Sequence, residues 1–250
     1  MKRLWALPLW AHALGLAVVL LVLTPVVDPQ WSYSADEGAA ITQARTLARD
    51  GEWIRPHPLP EVDPAGRLYP LENAGGGPDG RAPFVHHPLY ALVLAGADQI
   101  GGVTAMVLLS LAGTVTAAVL AALLARRLDR GLDRVSLWTA GVASPLLFDG
   151  YLVIAHTLGA VCAAAAALAA LAFLDGRRRW APALVVAVIV GVLLRTEVAV
   201  FGGALAAALV IAGWRHARWA TVALAGTTVA AAAATRVGEA AWQAAILGGG

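Results

Sequence analysis

Charge is scarce in this chain of 250 residues: Asp, Glu, Lys and Arg together make up 14% of it. A soluble domain carries about 25% charged residues. With 59% hydrophobic residues and a mean hydropathy of +0.71, the composition excludes an ordinary soluble domain and fits a polytopic membrane protein. Cysteine is nearly missing as well. Cys162 stands alone in an apolar run, so there is no intrachain disulfide and no Cys-x-x-Cys pair for metal or redox chemistry. The formal charge of +2, with basic residues not gathered into one patch, gives no reason to expect nucleic acid as a partner. There is no phosphate-cradling Gly-x-x-x-x-Gly-Lys and no Gly-x-Ser-x-Gly elbow. The Met-Lys-Arg start resembles a signal-peptide n-region. The apolar run behind it is too long for one, and no small-residue cleavage site stands out, so it reads as an uncleaved first span.

Long hydrophobic runs are what the chain has instead. Residues 4–27 hold one ionisable side chain, His12, and about 20 apolar residues suffice to cross a bilayer. A polar outer loop, residues 28–102, follows and holds more than half of the acidic residues. Within it, residues 35–50 read as a juxtamembrane helix: Ser34 and Glu37 have capping-box spacing, and Gly51 is a stop. Residues 51–83, rich in Pro and Gly, read as a loop without regular structure. Residues 88–97 are apolar but too short to span, which suggests a second, re-entrant or interfacial helix closed by Asp98 and Gly101-Gly102. Further spans are expected at residues 103–125, 135–148, 157–174, 180–194, 198–214 and 219–234, seven in all with the first. The expected fold is all-α and polytopic.

Short connections set the orientation. With the N-terminus in the cytoplasm, Arg126, Arg127, Arg130, Arg134, Arg177, Arg178, Arg179, Arg215 and Arg218 all fall on the cytoplasmic side, as the positive-inside bias requires. Outside the long loop, the other face holds only Arg195 and Arg236. This places a multi-pass protein in the plasma membrane with its first large loop outside. The odd span count leaves the C-terminus outside too, which suggests the N-terminal part of a longer protein.

The candidate residues gather on that outer face. Asp36 and Glu37 are adjacent carboxylates just past the first span. They complement the positive end of the helix dipole, and a carboxylate there can also deprotonate a hydroxyl or hold a divalent cation, Mg or Mn. His86 and His87 precede Pro88 and Tyr90. Adjacent histidines project in different directions, so packing or substrate contact fits them better than metal ligation. Asp149 and His156 flank a turn between two spans, where they are either interfacial turn residues or functional ones. Arg195-Thr-Glu197 is either a local ion-pair hinge or an arginine held ready for a phosphate.

The order of these features resembles the GT-C superfamily of integral-membrane glycosyltransferases, which use polyprenyl-phosphate sugars to transfer mannose, arabinose or aminoarabinose. The carriers of the resemblance are Tyr33-Ser-Ala-Asp36-Glu37-Gly38, Ala48-Arg-Asp-Gly51, Pro83-Phe-Val-His-His-Pro-Leu-Tyr90, Ser144-Pro145, His156-Thr157-Leu158 and Arg195-Thr-Glu197. Where some relatives carry Lys-Pro-Pro-Leu, this chain has His87-Pro88-Leu89. The resemblance implies an inverting transferase acting on the outer face, with a polyprenyl-phosphate sugar as donor and a lipid, glycan or protein as acceptor. It implies Asp36 as general base, Glu37 as its orienting neighbour, and His86, His87, Tyr90, Asp149, His156, Arg195 and Glu197 as substrate contacts. Two other classes stay open. A transporter or flippase of lipid-linked precursors would place ionisable residues deep in several spans, and an inactive structural subunit would retain Asp36 incidentally.

Overall fold

The computed structural model describes residues 5–27, 33–56, 61–62, 81–83, 87–215 and 219–246. These are mostly helical, with turns between the helices and one short strand pair. The helices are α1 (Leu9–Val27), α2 (Ala35–Asp50), α3 (Pro88–Ala125), α4 (Asp133–Val142), α5 (Leu146–Asp149), α6 (His156–Leu174), α7 (Ala181–Leu194), α8 (Glu197–Arg215) and α9 (Trp219–Ile246). Between α2 and α3 lie β1 (Ile54–Pro56) and β2 (Arg81–Pro83), antiparallel with Ile54 opposite Pro83. This pair gives regular structure to a region read from the sequence as having none.

Among the described residues, five helices (α1, α3, α6, α8 and α9) are long and apolar enough to cross a membrane. Their surfaces agree with that environment. On α1 only His12, Leu16 and Leu20 are buried, while Trp10, Leu14, Val22 and Val26 are exposed. Water would penalise a face of that size, whereas lipid tails would not.

Two spans, at residues 135–148 and 219–234, differ from the expectation, and the one at 180–194 keeps its bounds within a residue as the short α7. The run at residues 135–148 is split into the 10-residue α4 and the 4-residue α5. Pro145 has no N–H to donate and its ring crowds the preceding turn, so α4 stops at Val142 and α5 restarts after Pro145. α7 has 14 residues, about 21 Å of rise, because Arg195 adopts extended backbone (φ −156°, ψ 132°) and ends it. α9 runs on to Ile246, well past residue 234. The expected break at Gly101-Gly102 is present inside α3. Gly102 sits at φ 62°, ψ −147°, a conformation open essentially to glycine, so residues 88–100 leave the direction of residues 103–125.

The core has two parts. Leu16, Leu20, Ala44, Leu94, Met106, Leu111, Leu137 and Val153 form one between α1, α2, α3 and α4. Ala166, Ala170, Leu184, Val188, Leu209 and Leu224 form the other between α6, α7, α8 and α9. α6 lies between them, packing on α3 and on α7. α3, α6 and α8 run one way and α1, α7 and α9 the other, which gathers polar groups at two ends. One end joins Arg126 to Asp133, Arg127 to Asp175, and Arg134 to the carbonyl of Leu7. The other joins the starts of α3, α6 and α8 to the ends of α7 and α9, and it holds the site.

Candidate functional site

α2 sets the first wall. Ser34 caps it, accepting from the Glu37 backbone N–H at 3.2 Å, and Gly51 (φ 70°) closes it by donating to the Leu47 carbonyl at 3.1 Å. Asp36 and Ala40, one turn apart, share a face. The Arg45–Asp98 ion pair (3.4 Å) helps hold α2 along the first part of α3.

Glu37 points elsewhere. It is 1% exposed, and its two carboxylate oxygens accept from the backbone N–H groups of Tyr33 and Val153, each at 2.8 Å. A capping box would return the carboxylate to the N–H of the cap residue itself. Here it reaches one residue further back and across to the segment between α5 and α6. Glu37 therefore ties that segment to α2, and its oxygens are spent on backbone. Tyr151, two residues earlier, donates to the Leu20 carbonyl on α1 at 2.7 Å, a second tie on the same segment.

A cavity of about 220 Å³ opens between these pieces. It is lined by Asp36 and Ala40 of α2, His87 and Tyr90 of α3, Val153 to His156, and Leu194 to Glu197. Six residues singled out in the sequence thus meet: Asp36, His87, Tyr90, His156, Arg195 and Glu197. Asp149 stands outside the lining and holds His156, with Oδ2 at 3.1 Å from Nδ1. His86 lies outside the described residues.

The polar groups of the cavity are unequally satisfied. The Asp36 side chain is exposed to the cavity mouth and has no hydrogen-bond or ion-pair partner among the described residues. Tyr90 is 4% exposed, yet its hydroxyl is buried without a partner among the described residues. An orphaned buried hydroxyl costs about 1–3 kcal/mol, so in a cavity wall it is a group waiting for a ligand. Arg195 is paired, giving Nε and Nη2 to the two oxygens of Glu197 at 3.0 and 2.5 Å. Its stem lies on α6 at Gly159, where a Cβ would meet Arg195 Cδ at 3.3 Å.

His87 is fixed from both sides. Nδ1 contacts the carboxylate of Glu239 on α9, and Nε2 is 3.3 Å from the Thr196 hydroxyl. Glu239 is 3% exposed and also receives Arg236, one turn earlier. Trp242, one turn further, meets Trp53 edge-on with ring centroids 4.7 Å apart. The end of α9 thus braces the site, a role the sequence reading missed by ending the helix at residue 234. The signal was present: Arg236 and Glu239 have the i,i+3 spacing of a helical ion pair.

Beside the polar cavity is a second one of about 320 Å³, lined by Gly159, Ala160, Ala163, Val198 and Phe201 and sharing His156, Arg195 and Glu197 with the first. For a divalent cation the donors are few. Among the described residues no three His, Cys, Asp or Glu side chains gather as a metal site. Asp36 alone offers one carboxylate of the six or so oxygens Mg requires, the rest falling to water and substrate phosphate. Comparison with family models, with curated proteins and with solved structures gives no match to this chain.

Proposed function

We propose that this chain is a membrane glycosyltransferase of the GT-C type, moving a sugar from a polyprenyl-phosphate donor to a lipid, glycan or protein acceptor. The observation that carries the reading is the unpartnered Asp36 carboxylate at the mouth of a cavity that also holds Tyr90, His87, His156 and Arg195. Asp36 takes the proton of an acceptor hydroxyl as its oxygen attacks the anomeric carbon. The bond from that carbon to the phosphate oxygen breaks on the opposite face, so the configuration inverts, and the electron pair leaves with the lipid phosphate. Arg195 meets the charge that develops there. A lipid donor also accounts for a polar cavity lying beside an apolar one. Glu37, with both oxygens engaged by backbone, serves the site by positioning.

The reading includes seven crossings, with α4–α5 and α7 as short ones beside the five long helices. Both short segments run between the same two polar ends as their neighbours: Asp133 pairs with Arg126 at one end, and Arg195 closes α7 at the other. The arginine-rich end faces the cytoplasm of a bacterial plasma membrane by the positive-inside bias, and the cavity faces out. Mg or Mn, held by Asp36 and substrate phosphate, is part of the proposal as a cofactor to be tested by chelation. The deciding experiment is Asp36→Asn assayed for sugar transfer in membranes. A general base contributes about 10²–10⁴-fold, and a loss of that size at normal expression is expected. Unchanged turnover would sink the assignment.

A further inference from the structure

Resting on the transferase reading, we propose that Glu197 is a built-in competitor for the anion site on Arg195: it occupies the guanidinium until a phosphate displaces it and reclaims it when the product leaves. The contact has the planar two-point geometry, Nε and Nη2 at 3.0 and 2.5 Å from the two carboxylate oxygens, that a phosphate also satisfies. Burial of the partners is unequal, with the Arg195 side chain 26% exposed and that of Glu197 68% exposed. Glu197 can swing into water at little cost, while Arg195 stays seated on α6 over Gly159. Arg195 lines both the polar cavity and the apolar one beside it, where the head of an anionic amphiphile would meet its tail.

Charge gives the competition a consequence. With Glu197 in place, Arg195 is neutralised and Asp36 is left as an uncompensated carboxylate in the cavity. An entering anion must therefore outbid a carboxylate for the same two donors. A monoester dianion does so more readily than a diester monoanion, and Glu197 prevents the site from holding either too long. Glu197 is a specificity-determining residue in this scheme, acting through Arg195.

The test is equilibrium binding to the purified full chain in detergent, with an isoprenyl monophosphate and with inorganic phosphate as separate probes. Glu197→Gln should tighten isoprenyl monophosphate about tenfold. Glu197→Asp, which keeps the charge, should stay close to the parent, and Arg195→Lys added to Glu197→Gln should erase the gain. A folded Glu197→Gln chain that binds no more tightly than the parent overturns the inference, while transfer sensitive to Asp36→Asn in the same preparation leaves the transferase reading standing. If both chains fail to bind isoprenyl monophosphate, the inference falls, and sugar transfer in the same preparation judges the transferase reading separately. Tightening seen with inorganic phosphate alone would retain the competitor and overturn the lipid as its source.

Discussion

The two ends of the helix bundle hold comparable numbers of charged side chains and use them in opposite ways. At the arginine-rich end the acids are saturated. Asp133 is buried and receives Arg126 Nε and Nη2 at 3.0 and 2.6 Å together with the Arg134 backbone N–H at 2.7 Å, and Asp175 receives Arg127. At the cavity end the acids divide. Glu37 and Glu239 are buried and spent on backbone, His87 and Arg236, whereas Asp36 is open and the Tyr90 hydroxyl is orphaned. Saturated groups hold the fold. Unsatisfied ones beside a cavity are what a ligand can use. The contrast separates stability from activity residue by residue; the first two comparisons below pair a satisfied group with an open one, and the last pairs a buried ion pair with an exposed one.

The largest effect should come from Asp36 set against Glu37. Asp36→Asn leaves every internal hydrogen bond intact, so thermal unfolding in detergent should be unchanged while transfer falls about 10²–10⁴-fold. Glu37→Ala strands the buried N–H of Val153 and loses the bond from the Tyr33 N–H, a cost of about 2–4 kcal/mol that a fall in the unfolding midpoint would report. Equal destabilisation by the two changes would erase the distinction between the neighbours.

A smaller effect compares two buried tyrosines. Tyr151→Phe removes the bond to the Leu20 carbonyl and should cost about 1 kcal/mol in stability, the net worth of one hydrogen bond, since that carbonyl keeps the Thr24 hydroxyl as a donor. Tyr90→Phe removes a hydroxyl with no partner among the described residues, so stability should hold or rise. Binding of the donor, measured by titration, should weaken by about tenfold, the worth of one hydrogen bond to ligand. Tyr90→Phe with full affinity would show that the orphaned hydroxyl is an accident of packing.

How far the sequence carried differs for the same reason at each place. α2 was legible to its last residue because its caps are local: Ser34 and Gly51 act within one turn of themselves. The break at Gly101-Gly102 was legible for the same reason. Hydropathy averaging hid the end of α4, because the apolar run continues through Pro145 although the helix does not. It also hid the end of α9, where polarity rises at Arg236 but the helix persists by docking Glu239 on His87. Pairings across the chain could not be read at all. Glu37 meets Val153 and His87 meets Glu239 only because two separate helix packings bring them together. Asp36, His87, Tyr90, His156 and Arg195 were singled out one motif at a time, and that they line one cavity depends on helix packing that no local pattern records.

The smallest effects lie at the arginine-rich end and read out by acid titration. Burial works to raise the Asp133 carboxyl, but the hydrogen bonds from Arg126 and the Arg134 N–H, with the two guanidinium charges, hold it below the usual carboxylate range. A carboxyl lowered in the folded state binds protons more readily when unfolded. Its stabilisation is therefore complete above the unfolded value of about 3.9 and is lost as the pH falls through the lower folded value. Asp133→Asn should lower the unfolding midpoint at neutral pH and converge on the parent in acid. Asp175 is also lowered, first by the hydrogen bond from Arg127, so its sign is the same. That pair is exposed to solvent at both partners, where side-chain entropy and salt cancel most of the attraction. Asp175→Asn should leave the unfolding midpoint unchanged within error from neutral pH to acid. If it matched Asp133→Asn instead, exposure would not be what grades the pairs at this end, and the contrast with the cavity end would have to rest on partner count alone.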